Sequence, residues 1–153
     1  MTGIELVLAT EADGPELLAL ARAFHAGDGH PLTEQGAAAL RATARGHPLA
    51  KAWLVREAGR TIGYAVLGFG YGIEYGGADA FVDDLYLIPD ARGRGLGALV
   101  LERLEAEARA MRLNALFLVV DPDNAPALRL YRRQGFEDTH WLLMAKRLRP
   151  PLI

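Results

Sequence analysis

The chain has 153 residues, enough for one well-buried domain and too few for two ordinary ones. A hydrophobic share of 51% against 24% charged is globular rather than disordered. The lack of any cysteine excludes disulfides, thiolate catalysis and cysteine metal sites, with a reducing cytoplasm as the expected location. The net charge is only −2, and the basic residues form no long stripe interleaved with aromatics, which argues against a nucleic-acid partner.

The first residues, Met1 to Glu5, lack a basic region followed by an apolar stretch, so no signal peptide is expected. No later apolar run reaches the roughly 20 residues of a membrane span. Ile4 to Leu8 alternates as a strand. Thr10, with Asp13 three residues on, caps a helix whose apolar face is Leu17, Leu18, Ala21 and Phe24. His25 to Pro31 reads as a loop, and Thr33 begins a second helix that ends near Gly46.

Ala52 to Arg56 and Thr61 to Phe69 form an antiparallel hairpin around Glu57-Ala58-Gly59-Arg60. Tyr71 to Gly77 is too glycine-rich for sheet interior and is expected to be a loop. Phe81 to Leu87 is the next strand, stopped by Pro89. Leu96 to Met111 is an amphipathic helix with Val100, Leu104 and Ala108 inward. Leu113 to Val120 is a near-continuous apolar strand covered on both faces. Ala125 to Gln134 makes a short helix ended by Gly135, and a last strand is expected from His140 to Lys146. The order describes one α+β domain over 1–153, with a parallel, right-handed strand–helix–strand unit from Phe81 to Val120.

At the join of that unit stands Arg92-Gly93-Arg94-Gly95-Leu96-Gly97. Alternate glycines let backbone N–H groups close on an anion, and the helix behind adds unpaired N–H groups and its positive dipole end. This is a pyrophosphate cradle. Gly93-x-Gly95-x-x-Ala98 formally fits a dinucleotide fingerprint, but it lies too late in the chain. The nearest strand-end acid, Asp121, also lies further on than the roughly 20 residues expected. A Walker loop fails for want of Gly-Lys-Ser/Thr. Residues 1–90 carry 12 acidic and 6 basic side chains and residues 91–153 carry 7 and 11, a division that suits a cationic substrate and a phosphorylated cofactor.

The run Asp83-Asp84-Leu85-Tyr86-Leu87-x-Pro89-x-x-Arg92-Gly93-x-Gly95-Leu96-Gly97 resembles the acetyl-CoA signature of the GNAT superfamily of N-acetyltransferases. Asn124-x-x-Ala127-x-x-x-Tyr131-x-x-x-Gly135-Phe136 resembles its second signature. Within that superfamily the chain is most similar to the diamine and polyamine acetyltransferases, on Ile62-Gly63-Tyr64-Ala65, the Tyr/Gly loop and the paired acids. The resemblance implies a mixed, mostly antiparallel sheet splayed between its fourth and fifth strands and flanked by helices. It implies acetyl transfer from acetyl-CoA to a small-molecule primary amine by direct attack in a ternary complex, without a metal, in a homodimer. A peptide or protein acceptor and a non-catalytic CoA sensor are the alternatives.

The same resemblance assigns the site. Arg92, Gly93, Arg94, Gly95, Leu96, Gly97 and Ala98 hold the diphosphate. The backbone of Leu85, Tyr86 and Leu87 meets the pantetheine arm, and Asn124, Ala127 and Tyr131 border it. Tyr131 is the acid that protonates the departing thiolate. Asp83 is the base, directly or through water; being one methylene shorter than the Glu common in the family favours the water-relayed route. Asp84, its neighbour on a strand, faces the other way and is held in structural hydrogen bonds. Glu74, Tyr71 and Tyr75 are loop residues available to an acceptor. His25 and His30 flank Asp28 without a regular spacing for a metal. Trp53 and Trp141 are read as core or dimer contacts.

Overall fold

The computed structural model describes residues 3–150. Five strands, β1 (Ile4–Leu8), β2 (Ala50–Glu57), β3 (Arg60–Gly72), β4 (Gly77–Leu87) and β5 (Ala115–Phe117), form one sheet in that spatial order. Four helices, α1 (Gly14–Gly27), α2 (Glu34–Ala44), α3 (Leu96–Ala110) and α4 (Ala125–Arg133), accompany it. The first three pairings are antiparallel and β4–β5 is parallel. This is the α+β, mostly antiparallel mixed sheet expected.

Each face of the sheet carries its own core. One packs Trp53, Val55, Ala65, Leu67, Ala80 and Val82 against Leu96, Val100 and Leu104 of α3. The other packs Leu54, Tyr64, Val66 and Tyr86 against Leu17, Leu18 and Ala21 of α1 and Ala37 and Leu40 of α2. Alternation along the strands divides the two sets, and each buried Leu or Val contributes about 1.5–3 kcal/mol. Trp53 is core, as its strand position suggests.

Local signals hold at several ends. The Thr33 hydroxyl accepts from Gly36 N–H at 3.0 Å and starts α2. Thr10 N–H donates to Asp13 Oδ2 at 2.8 Å, although the turn so closed is a 3-10 segment before α1. Ala58 and Gly59 both have positive φ, +50° and +77°, the two-residue turn that matches the twist of a β-hairpin.

Four expectations are corrected. α1 runs three residues past Phe24, so His25 is helical and not in the loop. The strands on either side of Tyr71–Gly77 extend into it, leaving only Ile73–Gly76 as the turn. A two-stranded ribbon tolerates glycine where a neighbouring side chain uses the space. β5 keeps only three paired residues of the apolar run from Leu113 to Val120, its ladder with β4 ending at Phe117 and Phe81. No ladder forms over residues 140–146. Trp141 is 77% exposed and not core, since an apolar run becomes a strand only where an edge of matching length awaits it.

Candidate active site

The loop between β4 and α3 takes the shape its glycines permit. Gly93 and Gly95 have φ of +73° and +74°, and Gly95 caps α3 in the left-handed conformation. Alternating handedness turns successive N–H groups to one side, and the first turn of α3 carries no acidic residue to offset its dipole. Gly97 serves a close approach, since a Cβ there would lie 3.3 Å from Leu130 Cδ2 on α4. Leu96 is buried and Ala98 half-buried.

The two arginines of the loop are tied back to the sheet. Arg92 Nε donates to the Leu87 carbonyl at 2.9 Å, and its guanidinium lies over the Tyr86 ring at 5.4 Å. Arg94 grips Glu57 at the end of β2 with a two-pronged contact of 3.0 and 2.8 Å, which raises its pKa. Both arginines are thus engaged within the protein and brace the loop, which leaves its backbone N–H groups as the donors it could offer an anion.

Beside the loop the sheet opens. β5 pairs with β4 only from Asp79 to Phe81, so the outer edge of β4 from Val82 to Leu87, with Leu85, Tyr86 and Leu87, has no ladder partner. The break coincides with a bulge. Val66 pairs with Asp84 and Leu67 with Val82, leaving Asp83 as the extra residue.

That bulge overturns the expectation that Asp83 and Asp84 face opposite sides. Asp83 Oδ2 lies 2.8 Å from where a Cβ on Gly68 would stand. Asp84 Oδ2 accepts from Tyr64 OH at 2.7 Å. Gly68 and Tyr64 are four residues apart on β3 and share a face, so both carboxyls lie on the α1/α2 side. An extra residue in one strand resets its alternation.

The two acids differ in what surrounds them. Asp84 accepts from Tyr64 and is paired with His25 Nε2 at 3.0 Å, from the last turn of α1. It is the structurally held acid. Asp83 keeps an open side, has no such partner, and has a raised pKa, first from partial burial and then from the charge of Asp84. A carboxyl whose pKa is raised is the stronger base once ionised. Tyr64 is the converse: burial first, then the charge and hydrogen bond of Asp84, keep its phenol protonated.

At the head of α4, Asn124 accepts from Ala127 N–H at 3.2 Å and caps the helix. Tyr131 follows on that helix, edge-on to Phe136 with ring centroids 6.0 Å apart, and burial raises its pKa above that of a free phenol. Its proton is available at any ordinary pH. Tyr71 is largely exposed, while Tyr75 stacks edge-on with Phe117 at 4.9 Å. Among the described residues no group of three His, Asp or Glu converges on a metal position. Sequence reasoning missed His25 and Tyr64 as partners of Asp84, and missed that the carboxyl of Asp79 lies over Gly70 and Gly72 of β3. The available signal was Gly68-x-Gly70-x-Gly72, three glycines on one strand face.

Comparison with known proteins bears on the whole arrangement. The profile described as the acetyltransferase (GNAT) family matches residues 16–136. An "IAA acetyltransferase" of Azospirillum brasilense is 36% identical over 85 residues, 56% of this chain and 53% of the relative. An "L-methionine sulfoximine/L-methionine sulfone acetyltransferase" of Pseudomonas aeruginosa is 36% identical over 80 residues, 52% of this chain and 46% of the relative. The chain spans about half the length of these curated relatives. A crystal structure of an integron cassette protein from the mobile metagenome of Cole Harbour Salt Marsh superposes with a TM-score of 0.82 at 34% identity. That match covers 96% of this chain and 92% of the other.

Proposed function

We propose, from the premise that this chain belongs to the GNAT family of acetyltransferases, that it moves an acetyl group from acetyl-CoA to a primary amine of a small, diamine- or polyamine-like molecule by direct attack in a ternary complex. The observation that carries this reading is the coincidence of the β4–β5 break, the bulge at Asp83 and the left-handed glycine loop at one end of β4. Acetyl-CoA supplies the acyl carbon as an activated thioester.

The residues present suit such a donor. Backbone N–H groups from Gly93 to Ala98 bind its diphosphate, and the unpaired edge of Leu85, Tyr86 and Leu87 meets the amides of its arm. On that edge the Leu87 carbonyl is already engaged, by Arg92. Asn124 and Ala127 border the arm at the head of α4. One free N–H of β4 stabilises the oxyanion. The acceptor arrives as ammonium. Asp83 takes its proton through a water, and the free amine then attacks the thioester carbon. The C–N bond forms, the C–S bond breaks, and Tyr131 gives its proton to the departing sulfur. The exposed run from Trp141 to Met144 supports a homodimer, which light scattering tests.

The deciding assay is thiol release from acetyl-CoA against polyamines, amino acids, aminoglycosides and peptides. Turnover is expected with polyamines and lost in Asp83→Asn, most steeply at low pH where free amine is scarce. A panel without turnover, or an Asp83→Asn pH profile identical to the parent's, overturns the reading. Turnover with peptides alone establishes the peptide alternative instead.

A further inference from the structure

Gly68, Gly70 and Gly72 occupy alternate positions of β3 and so bare one face of the sheet. That bare strip is filled by acids from β4. A Cβ on Gly70 would lie 2.6 Å from Asp79 Oδ1, one on Gly72 would lie 2.9 Å from Asp79 Oδ2, and one on Gly68 would lie 2.8 Å from Asp83 Oδ2. Two carboxyls thus lie in a lane that only glycine leaves open. They are roughly 10 Å apart, about three strand residues at 3.4 Å each.

Phe81 stands between them. It pairs with Gly68, shares the face of Asp79, and is 36% exposed. Phe117 backs it with ring centroids 5.2 Å apart, and Tyr75 closes against Phe117. The lane therefore reads acid, aromatic, acid.

Asp79 is the informative member. Among the described residues it is the one charged residue that is buried, at 7% exposure; its carboxyl has no hydrogen-bond or ion-pair partner there, and its oxygens keep an opening to solvent. A carboxylate without a partner inside the protein, at a narrow opening to solvent, is placed to receive a cation. From Gly63 to Gly72 of β3 and along β4 the charged side chains are Asp79, Asp83 and Asp84, the last held by Tyr64 and His25. A carboxylate-bearing acceptor would meet repulsion here.

Resting on the amine-acetyltransferase reading above, we propose that Asp79 and Phe81 form a second acceptor subsite, which takes the far cationic end of a diammonium molecule whose reacting amine is held at Asp83. The methylenes between lie on Phe81. An extended chain advances about 1.2 Å per bond, and each ammonium stands about 3 Å from its carboxyl. The nitrogens are then five or six bonds apart, roughly the reach of putrescine or cadaverine.

Calorimetric titration of the CoA-loaded protein with cadaverine and with n-pentylamine tests this apart from turnover. Cadaverine is expected to bind about tenfold tighter than n-pentylamine. In Asp79→Asn its affinity falls to that of n-pentylamine, whose own Kd is unchanged. In thiol release, the cadaverine KM of Asp79→Asn rises by a similar factor while kcat stays within about twofold. Gly70→Ala, whose methyl displaces Asp79 Oδ1 and keeps the charge, reproduces the loss and covers a failure of Asp79→Asn to fold. Equal affinity of the two amines for the parent overturns the subsite, as does a cadaverine preference retained in both variants. A cadaverine preference without acetyl transfer to any amine sustains the subsite and overturns the catalytic reading on which it was built.

Discussion

Gly68→Ala separates the role of Asp83 from the stability of the sheet. The added Cβ would sit 2.8 Å from Asp83 Oδ2, and the next atom, Asp83 Cγ, is at 3.5 Å. Since ordinary contact begins near 3.4 Å, the carboxyl must retreat by about 0.6 Å, and only side-chain atoms stand in the way. Moving Asp83 out of its rotamer well costs about 0.5–1.5 kcal/mol. Replacing a strand glycine by alanine returns about 0.5–1 kcal/mol. The two nearly cancel, so Tm should shift by no more than about 4 °C. Catalysis is far more sensitive, because a positioned acid–base group contributes about 10²–10⁴-fold. We expect kcat in the thiol-release assay to fall about tenfold or more, with the acetyl-CoA KM unchanged. In an Asp83→Asn background the same alanine should change kcat by less than about twofold. An equal loss in both backgrounds would refute the reasoning, as would a Tm drop beyond about 10 °C, which would mean that the backbone had moved.

Gly63→Ala should behave oppositely, because its Cβ would lie 2.0 Å from the Tyr86 carbonyl oxygen, a backbone atom that cannot step aside. Denaturant unfolding should show a loss above about 3 kcal/mol, and a smaller loss would mean that β3 and β4 separate easily there. Ala58→Gly relieves a φ of +50° and should stabilise by about 1 kcal/mol; a lower Tm would contradict the turn geometry. Tyr131→Phe should lower kcat and leave acetyl-CoA affinity intact, and because burial raises the phenol pKa the parent should show no loss from tyrosine ionisation below about pH 10. The folded-state pKa of Asp83 lies above its unfolded value, so its contribution to stability is present at low pH and lost as pH rises through the folded pKa. Asp83→Asn should therefore melt higher than the parent at pH 7, with the gap closing below about pH 4; a gap that widens on acidification would reverse the sign.

What the sequence determined by itself was whatever depends on neighbours along the chain. Helix periodicity, the Thr33 cap, the Ala58-Gly59 turn and the glycines of the Gly93–Gly97 loop are local, because φ preferences and capping reach only three or four residues. The family resemblance rested on those same short motifs. Only the tertiary structure decided how β4 meets its neighbours. Which residue forms the bulge, and hence that Asp83 and Asp84 share a face, follows from pairing register with β3, and period-two alternation cannot reveal a residue that pairing skips. His25 reaches Asp84 across 59 residues of chain, and Arg94 leaves the loop for Glu57 across 37. Such contacts depend on where whole elements pack. The short β5 and the unpaired segment from His140 to Lys146 make the same point: an apolar pattern states that a strand can form, and a free edge decides whether it does.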